Sequence, residues 1–368
     1  MKMQRFLILV GSICLTLVLA ALLLPACAAE EPAPAPAPTP APAPVEPIVL
    51  KYATYWAPTF YCAEGWDKPF FDEFEARTGG RVKVERYYAE SLAKARDLLD
   101  ATSSGLCDFG FFPLGYKPGL CDLCDYMTLP FPAKDNLNLA KAIEAVRKKG
   151  YFTEAFAKFN VMRLNSCQSG LSDMIFTDRK PMKLEDFAGT KTRSLGYGTF
   201  AVEAMGMTTV GLAGFEYYDA MQKGILDMYW HAPASISGRK LQEVSKYYLK
   251  IGLCVTGDGG MLVNLDSYNK LPPDIQDILM ELGDGLGVKY AENAIGRFDA
   301  AYVEISEAGC EVYTLSDAEY NRVKEVVIPV WDKFIVDMEA KGLPGKEIVA
   351  DFVSELKKLG EEPPYSPK

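Results

Sequence analysis

From Ile48 onward the spacing of apolar and polar positions switches between strand-like and helix-like periods. Val49 to Tyr55 is a short apolar-rich run that fits a buried strand, and Gly65 to Arg77 is amphipathic and fits the helix after it. Gly79-Gly80 ends that helix, and Val82 to Tyr88 alternates with period two as a second strand. This strand–helix–strand rhythm predicts a parallel sheet with covering helices. A later pair of segments repeats one pattern. Asp97 to Ser104 reads as a helix closed by Gly105, followed by Leu106-Cys107-Asp108 and the apolar run Phe109 to Phe112. Tyr217 to Lys223, Gly224, Ile225-Leu226-Asp227 and Met228-Tyr229-Trp230 do the same. In each, glycine can take the left-handed conformation after a helix, two residues turn the chain, and an aspartate precedes a strand. Such an echo arises either from two lobes of similar construction or from one common turn used twice.

The pattern divides the chain. After Val161 to Asn165 a second lobe begins near Gly170, and Met261 to Leu265 reads as a strand returning to the first. Leu271-Pro272-Pro273-Asp274 starts a mostly helical region that runs to Leu359. The expected division is 48–170 plus 257–296 for lobe I, and 171–256 plus 297–368 for lobe II with the C-terminal helices. Two lobes joined by several crossings form a cleft that closes on a ligand by hinge motion.

The N-terminus has a different character. Lys2 and Arg5 precede an apolar run from Phe6 to Leu24 that ends at Leu24-Pro25-Ala26-Cys27. This is the order of an export signal, and a cysteine directly after a small residue is the processing and acylation site of a lipoprotein. The run is also near the lower length limit for a retained spanning helix. The segment 28–47, in which Pro alternates mostly with Ala, has no apolar face to bury and fits an extended tether. The reading is a 1–27 lipoprotein signal, lipidation at Cys27, a spacer, and a water-soluble remainder on the outer side of the membrane.

Charge and cysteines narrow the function. The formal net charge is −10, without a Lys/Arg cluster dense enough to follow a phosphate backbone, so nucleic acid is not an expected partner. Beyond Cys14 and Cys27 there are seven cysteines, an odd number. Cys121-x-x-Cys124 is either half of a zinc site, or the cysteines are small buried thiols with one or two disulfides. No second close pair and only one histidine accompany it, so no metal or other cofactor is expected.

The ordered landmarks then meet a known pattern. Lys180 to Arg193 carries Pro181, Asp186, Gly189, Lys191 and Arg193, and Glu216 to Asp227 carries a Glu-x-Tyr helix ending in Gln-x-Gly-x-x-Asp. Ser104 to Asp108, Leu129-Pro130-Phe131 and Leu271 to Asp274 stand in the same order. With these, the chain from Ile48 to about Leu359 resembles the extracytoplasmic solute receptors of tripartite ATP-independent periplasmic (TRAP) transporters. The resemblance implies an α/β, two-lobe periplasmic binding protein, type II-like, with a helical C-terminal region. It also implies a small organic acid as ligand, a separate membrane permease as partner, and binding without catalysis.

The resemblance implies an arginine in the cleft that pairs with the ligand carboxylate, and Arg193 stands in that place. A guanidinium fork meets a carboxylate with two parallel charge-assisted bonds and keeps its charge at all relevant pH. His231, the only histidine, stands where relatives place a polar ligand contact, with Tyr229 and Trp230 beside it; it is either a cleft residue or a satisfied core histidine. Tyr218 of the Glu-x-Tyr helix joins the binding candidates. Where some relatives carry a second positive contact, the matching residue is Asp173, which is either a solvated acid or a partner for a ligand hydroxyl or ammonium group. Tyr55 and Trp56, with Phe60 and Tyr61, form either an apolar wall of the cleft or part of the lobe I core.

An enzyme reading has its own motif. Gly196-Tyr197-Gly198 follows a strand and opens a helix, with Glu216 about twenty residues on, as in a dinucleotide fingerprint. A Ser-His-Asp triad would need His231, and no Gly-x-Ser-x-Gly elbow is present.

Overall fold

The computed structural model describes residues 46–366 apart from 169, 213–215 and 257–258. The export signal, Cys27 and the spacer up to residue 45 lie outside the described residues. Eleven strands are described: β1 (Ile48–Ala53), β2 (Val82–Tyr87), β3 (Phe109–Pro113), β4 (Val161–Arg163), β5 (Asp173–Phe176), β6 (Lys191–Thr192), β7 (Thr208–Thr209), β8 (Met228–His231), β9 (Tyr247–Leu249), β10 (Gly259–Asn264) and β11 (Glu311–Tyr313). They form a five-stranded sheet in the order β2-β1-β3-β10-β4, a four-stranded sheet in the order β11-β9-β5-β8, and the small pair β6-β7.

The parallel expectation holds for β1 with β2 and β3, and fails at β10, which lies antiparallel between β3 and β4. The reason is the route of the chain. It leaves the first sheet after β4, builds β5, β8 and β9, and returns as β10, so this strand enters without the helical crossover that enforces parallel pairing. In the second sheet β5 is antiparallel to both β8 and β9, and only β11 with β9 is parallel.

Strand alternation buries both faces of the second sheet. Met174, Phe176, Met228, Trp230 and Leu249 join one core cluster, which also holds Phe112 and Tyr126 from the first-sheet side. Ile175, Tyr229 and Tyr248 join another on the opposite face. The C-terminal helices Pro329–Ala340 and Gly345–Lys358 pack onto the larger cluster. Trp331 donates from Nε1 to the Pro130 carbonyl at 2.9 Å, and Phe352 meets the Tyr126 ring edge-on at 4.9 Å. Cys121 and Cys124 form a disulfide, Cys62, Cys107, Cys254 and Cys310 are buried free thiols, and Cys167 is buried.

The sequence echo is a repeated structure at the level of single hydrogen bonds. Helices Leu98–Ser103 and Tyr217–Gln222 end at Gly105 and Gly224, with φ of 77° and 70°. In the first copy the Asp108 N–H donates to the Lys51 carbonyl at 2.9 Å while its carboxylate accepts from the Lys51 N–H at 2.7 Å. In the second, Asp227 N–H donates to the Lys191 carbonyl at 2.9 Å and its carboxylate accepts from the Lys191 N–H at 2.8 Å. Each aspartate thus clamps the edge of the strand beside its own. The second clamp fixes the backbone two residues before Arg193.

Candidate ligand-binding cleft

A cleft partly open to solvent lies among segments of both sheets. Tyr55, Trp56, Phe60, Tyr61 and Cys62, after β1, line it together with Phe111 of β3. From the second-sheet side come Arg193, Tyr217, Tyr229, His231, Ser235 and Arg239. The lining has the make-up of small-molecule sites, aromatic walls with a few placed polar groups.

Arg193 follows β6 and is 9% exposed. Its carbonyl accepts a 3.1 Å hydrogen bond from Trp230 Nε1, and its guanidinium sits 5.5 Å from the centroid of Tyr217. Nε of Arg193 is buried without a hydrogen-bond partner, and no carboxylate among the described residues forms an ion pair with it. The arginine is therefore held in place through its backbone while its charged end stays free for something else.

The expected residues separate by strand parity. Tyr229 and His231 lie on the same side of β8 and both reach the cleft, their rings 6.0 Å apart. Trp230, between them, points to the opposite face and is 1% exposed in the core. It does not line the cleft, as the sequence reading had it, but positions Arg193 from behind. Tyr55 and Trp56 do line the cleft, and Trp56 is also part of the first-sheet core, against Phe111 at 4.0 Å and Trp66 at 5.6 Å.

Asp173 is corrected in the same way. It stands on β5 opposite His231 in register but is 5% exposed and away from the cleft lining. Its carboxylate accepts from Tyr248 and Tyr302 hydroxyls at 3.1 and 3.0 Å and from the Ile251 and Gly252 N–H groups at 2.9 and 3.0 Å. It is neither a solvated loop acid nor a ligand contact: four donors consume it, and burial still pushes its pKa above the ordinary carboxylate value. Tyr218 is displaced by one position. Helix Tyr217–Gln222 buries Tyr217, Ala220 and Met221, so Tyr217 enters the cleft, while Tyr218 donates to Glu243 at 3.2 Å and lines only an adjoining pocket with Trp56, Phe60, Tyr217 and Arg239.

Arg239 was missed by the sequence reading. It follows helix Pro233–Gly238, and its Nε donates to Ser235 Oγ at 3.3 Å. Its guanidinium lies 5.4 Å from the Phe60 centroid and 5.7 Å from that of Tyr217, and it has no carboxylate partner among the described residues. The available signal was spacing: His231, Ser235 and Arg239 recur every four residues around a proline-started turn, the interval that gathers side chains on one face.

The electrostatics follow. Burial, with Arg239 and Arg193 adding to it, pushes the His231 pKa well below its ordinary value, so its imidazole is neutral at neutral pH. Nδ1 accepts from the Ala232 N–H at 2.9 Å, which leaves the ring proton on Nε2. Burial lowers the Arg239 pKa and the phenols of Tyr229, Tyr217, Tyr55 and Tyr61 raise it; the balance lies above its ordinary value, so it is always cationic. Burial pushes the Cys62 thiol up to about 12, and its Sγ lies 3.0 Å from the Tyr290 hydroxyl, which marks it as an inert wall residue. No carboxylate is among the described lining residues; Asp258, in sequence between the lining residues Thr256 and Gly259, lies outside the described residues.

The Gly196-Tyr197-Gly198 turn is packed, not open. A Cβ on Gly198 would sit 2.5 Å from the Trp230 ring, and one on Gly196 would sit 2.9 Å from Asp125 Oδ1. The close approach these glycines allow is used by protein side chains where a dinucleotide fingerprint would use it for pyrophosphate.

Residues 52–337 match the family model of the bacterial extracellular solute-binding proteins, family 7. The chain belongs to this family. The C4-dicarboxylate-binding periplasmic protein DctP of Rhodobacter capsulatus is 28% identical over 307 residues, covering 78% of this chain and 86% of that protein. A TRAP periplasmic solute-binding protein of Bordetella bronchiseptica, with bound (R)- and (S)-mandelate, superposes with a TM-score of 0.78 at 22% identity, covering 85% of this chain and 100% of the other. A TRAP solute-binding protein of Rhodoferax ferrireducens, in complex with copurified benzoate, gives a TM-score of 0.77 at 20% identity, with 85% and 98% covered. The chain is thus an extracytoplasmic TRAP solute receptor with the two-lobe binding-protein fold, in a family of receptors and not of enzymes.

Proposed function

We propose that this receptor takes up a small organic acid by pairing its carboxylate with Arg193 and passes it, in a closed form, to a TRAP permease. The observation that carries the reading is the buried, unpartnered Nε of Arg193 in a cleft whose described lining residues include no carboxylate. Burying an uncompensated guanidinium is costly, and a ligand carboxylate removes that cost with two charge-assisted bonds. Tyr229 and the neutral His231 flank the charge and serve as hydrogen-bond partners for the rest of the ligand, and Tyr55 and Trp56 cover its apolar part. Closure brings the segments after β1 and after β8 around the molecule. The acids bound by the relatives, a C4-dicarboxylate, mandelate and benzoate among them, agree with this chemistry.

The receptor acts, on this reading, on the outer face of the membrane, tethered through a lipidated Cys27 and the proline-rich spacer; Cys27→Ser would release it in unlipidated form. The decisive experiment is the melting temperature of the chain from Glu46 to Lys368 against organic acids and amino acids. A ligand at a hundred times its Kd stabilises the folded state by about 2.7 kcal/mol. The expected result is a rise with one class of acids that is lost in Arg193→Ala. A rise that survives this substitution removes Arg193 from the assignment, and no rise with any acid removes the assignment itself.

A further inference from the structure

The cleft holds a second cation that a monocarboxylate would leave uncompensated. Arg193 and Arg239 approach the same Tyr217 ring, at 5.5 and 5.7 Å, and neither has a carboxylate partner among the described residues. Among the described residues, the acid opposite His231 in strand register, Asp173, is consumed by four donors of its own. The wall facing the arginines is aromatic: Trp56 packs on Phe111, Phe60 on Tyr61 at 4.7 Å, and Phe60 also meets Arg239. Tyr217 is itself backed by Tyr229 at 4.4 Å. Two guanidiniums around one ring, opposite a bank of rings, form a slot for a flat molecule with negative charge at two places.

We propose that the ligand is an aromatic acid with two ring-borne carboxylates, one held by Arg193 and the other by Arg239, with Arg239 as the specificity determinant. This rests on the reading of Arg193 as the carboxylate site and adds the class of acid. The neutral His231 contributes no third positive charge, so two carboxylates match the two guanidiniums one to one. The hydroxyl of Thr256, which lines the cleft and is buried without a partner, is available to one of them. An aliphatic diacid satisfies the charges and leaves the aromatic wall unfilled; benzoate fills the wall and leaves Arg239 bare.

The test is calorimetric titration of the chain from Glu46 to Lys368, refolded to remove any copurified ligand, with the three benzenedicarboxylates, benzoate and succinate. A hydrogen-bonded charge pair supports a preference of about thirtyfold for one benzenedicarboxylate over benzoate. In Arg239→Gln this ratio is expected to fall to within about threefold of unity, and in Arg239→Lys, which keeps the charge without the fork, to an intermediate value. The proposal is overturned if benzoate or succinate binds the unmodified protein as tightly as every benzenedicarboxylate, a comparison that does not depend on any variant folding. It is also overturned if the ratio is unchanged in Arg239→Gln. If benzoate binds through Arg193 without a dicarboxylate preference, the organic-acid reading stands and this one fails; if no acid binds, both fail.

Discussion

The two walls of the cleft are built from different chemistry. The wall after β1 presents Tyr55, Trp56, Phe60 and Tyr61, backed by Phe111 and Trp66, and carries no charged side chain. The opposite wall presents Arg193, Arg239 and His231 around Tyr217 and Tyr229. Apolar contact contributes about 25 cal/mol per Å² buried and is indifferent to direction. A guanidinium fork is directional and intolerant of an unpaired state. On the proposed function, the first wall selects the shape of the ligand, and the second selects its charge and fixes which way round it lies. The ways the two walls are anchored differ accordingly. The aromatic wall is continuous with the first-sheet core, whereas Arg193 hangs from a short strand held by the Asp227 clamp and by Trp230.

The largest expected effect breaks the charged wall. Arg193→Lys keeps the charge but loses the fork and cannot reproduce two parallel bonds, so affinity for the acid should fall by about a hundredfold, with the melting temperature of the ligand-free protein little changed. Calorimetry on the two forms checks this; near-equal affinity would show that charge alone suffices. A smaller effect sharpens the other half. Trp56→Leu removes an aromatic face, and about 1 kcal/mol of contact, or fivefold in affinity, should be lost for ring-bearing acids and not for short aliphatic ones. Equal losses for both would mean that Trp56 acts through the core and not as a wall.

How much of this was legible in the chain follows the same division. The two Gly-turn-Asp units stood in the sequence because a left-handed glycine and a clamping aspartate need particular residue types at fixed positions. The place of Arg193 in the cleft lining was legible through the landmarks around it, and the aromatic wall through its density. What failed was side-chain direction. Trp230 shares a strand with two cleft residues, but period two turns it to the other face, where its indole supports the Arg193 carbonyl. Asp173 was misread because its four donors come from residues far along the chain, Tyr248, Ile251, Gly252 and Tyr302. The parallel sheet was overextended because nothing local to β10 records that it arrives from the other sheet.

The smallest expected effect tests the same rule at the helix that follows Glu216. Tyr217, Ala220 and Met221 fall at i, i+3 and i+4, the spacing of one buried face, and Tyr218 falls off it. The Tyr218 hydroxyl contacts Glu243 at an exposed position where such bonds contribute little, while its ring, packed at the edge of the core, is kept by a phenylalanine. Tyr218→Phe should therefore leave affinity within about twofold of the unmodified receptor and stability within about 0.5 kcal/mol. Tyr217→Leu, one residue earlier, removes the ring that both arginines face and should lower affinity by about tenfold. If the order of the two effects is reversed in a side-by-side titration, the cleft in solution is built on the other face of this helix, and the charged wall described above is wrong with it.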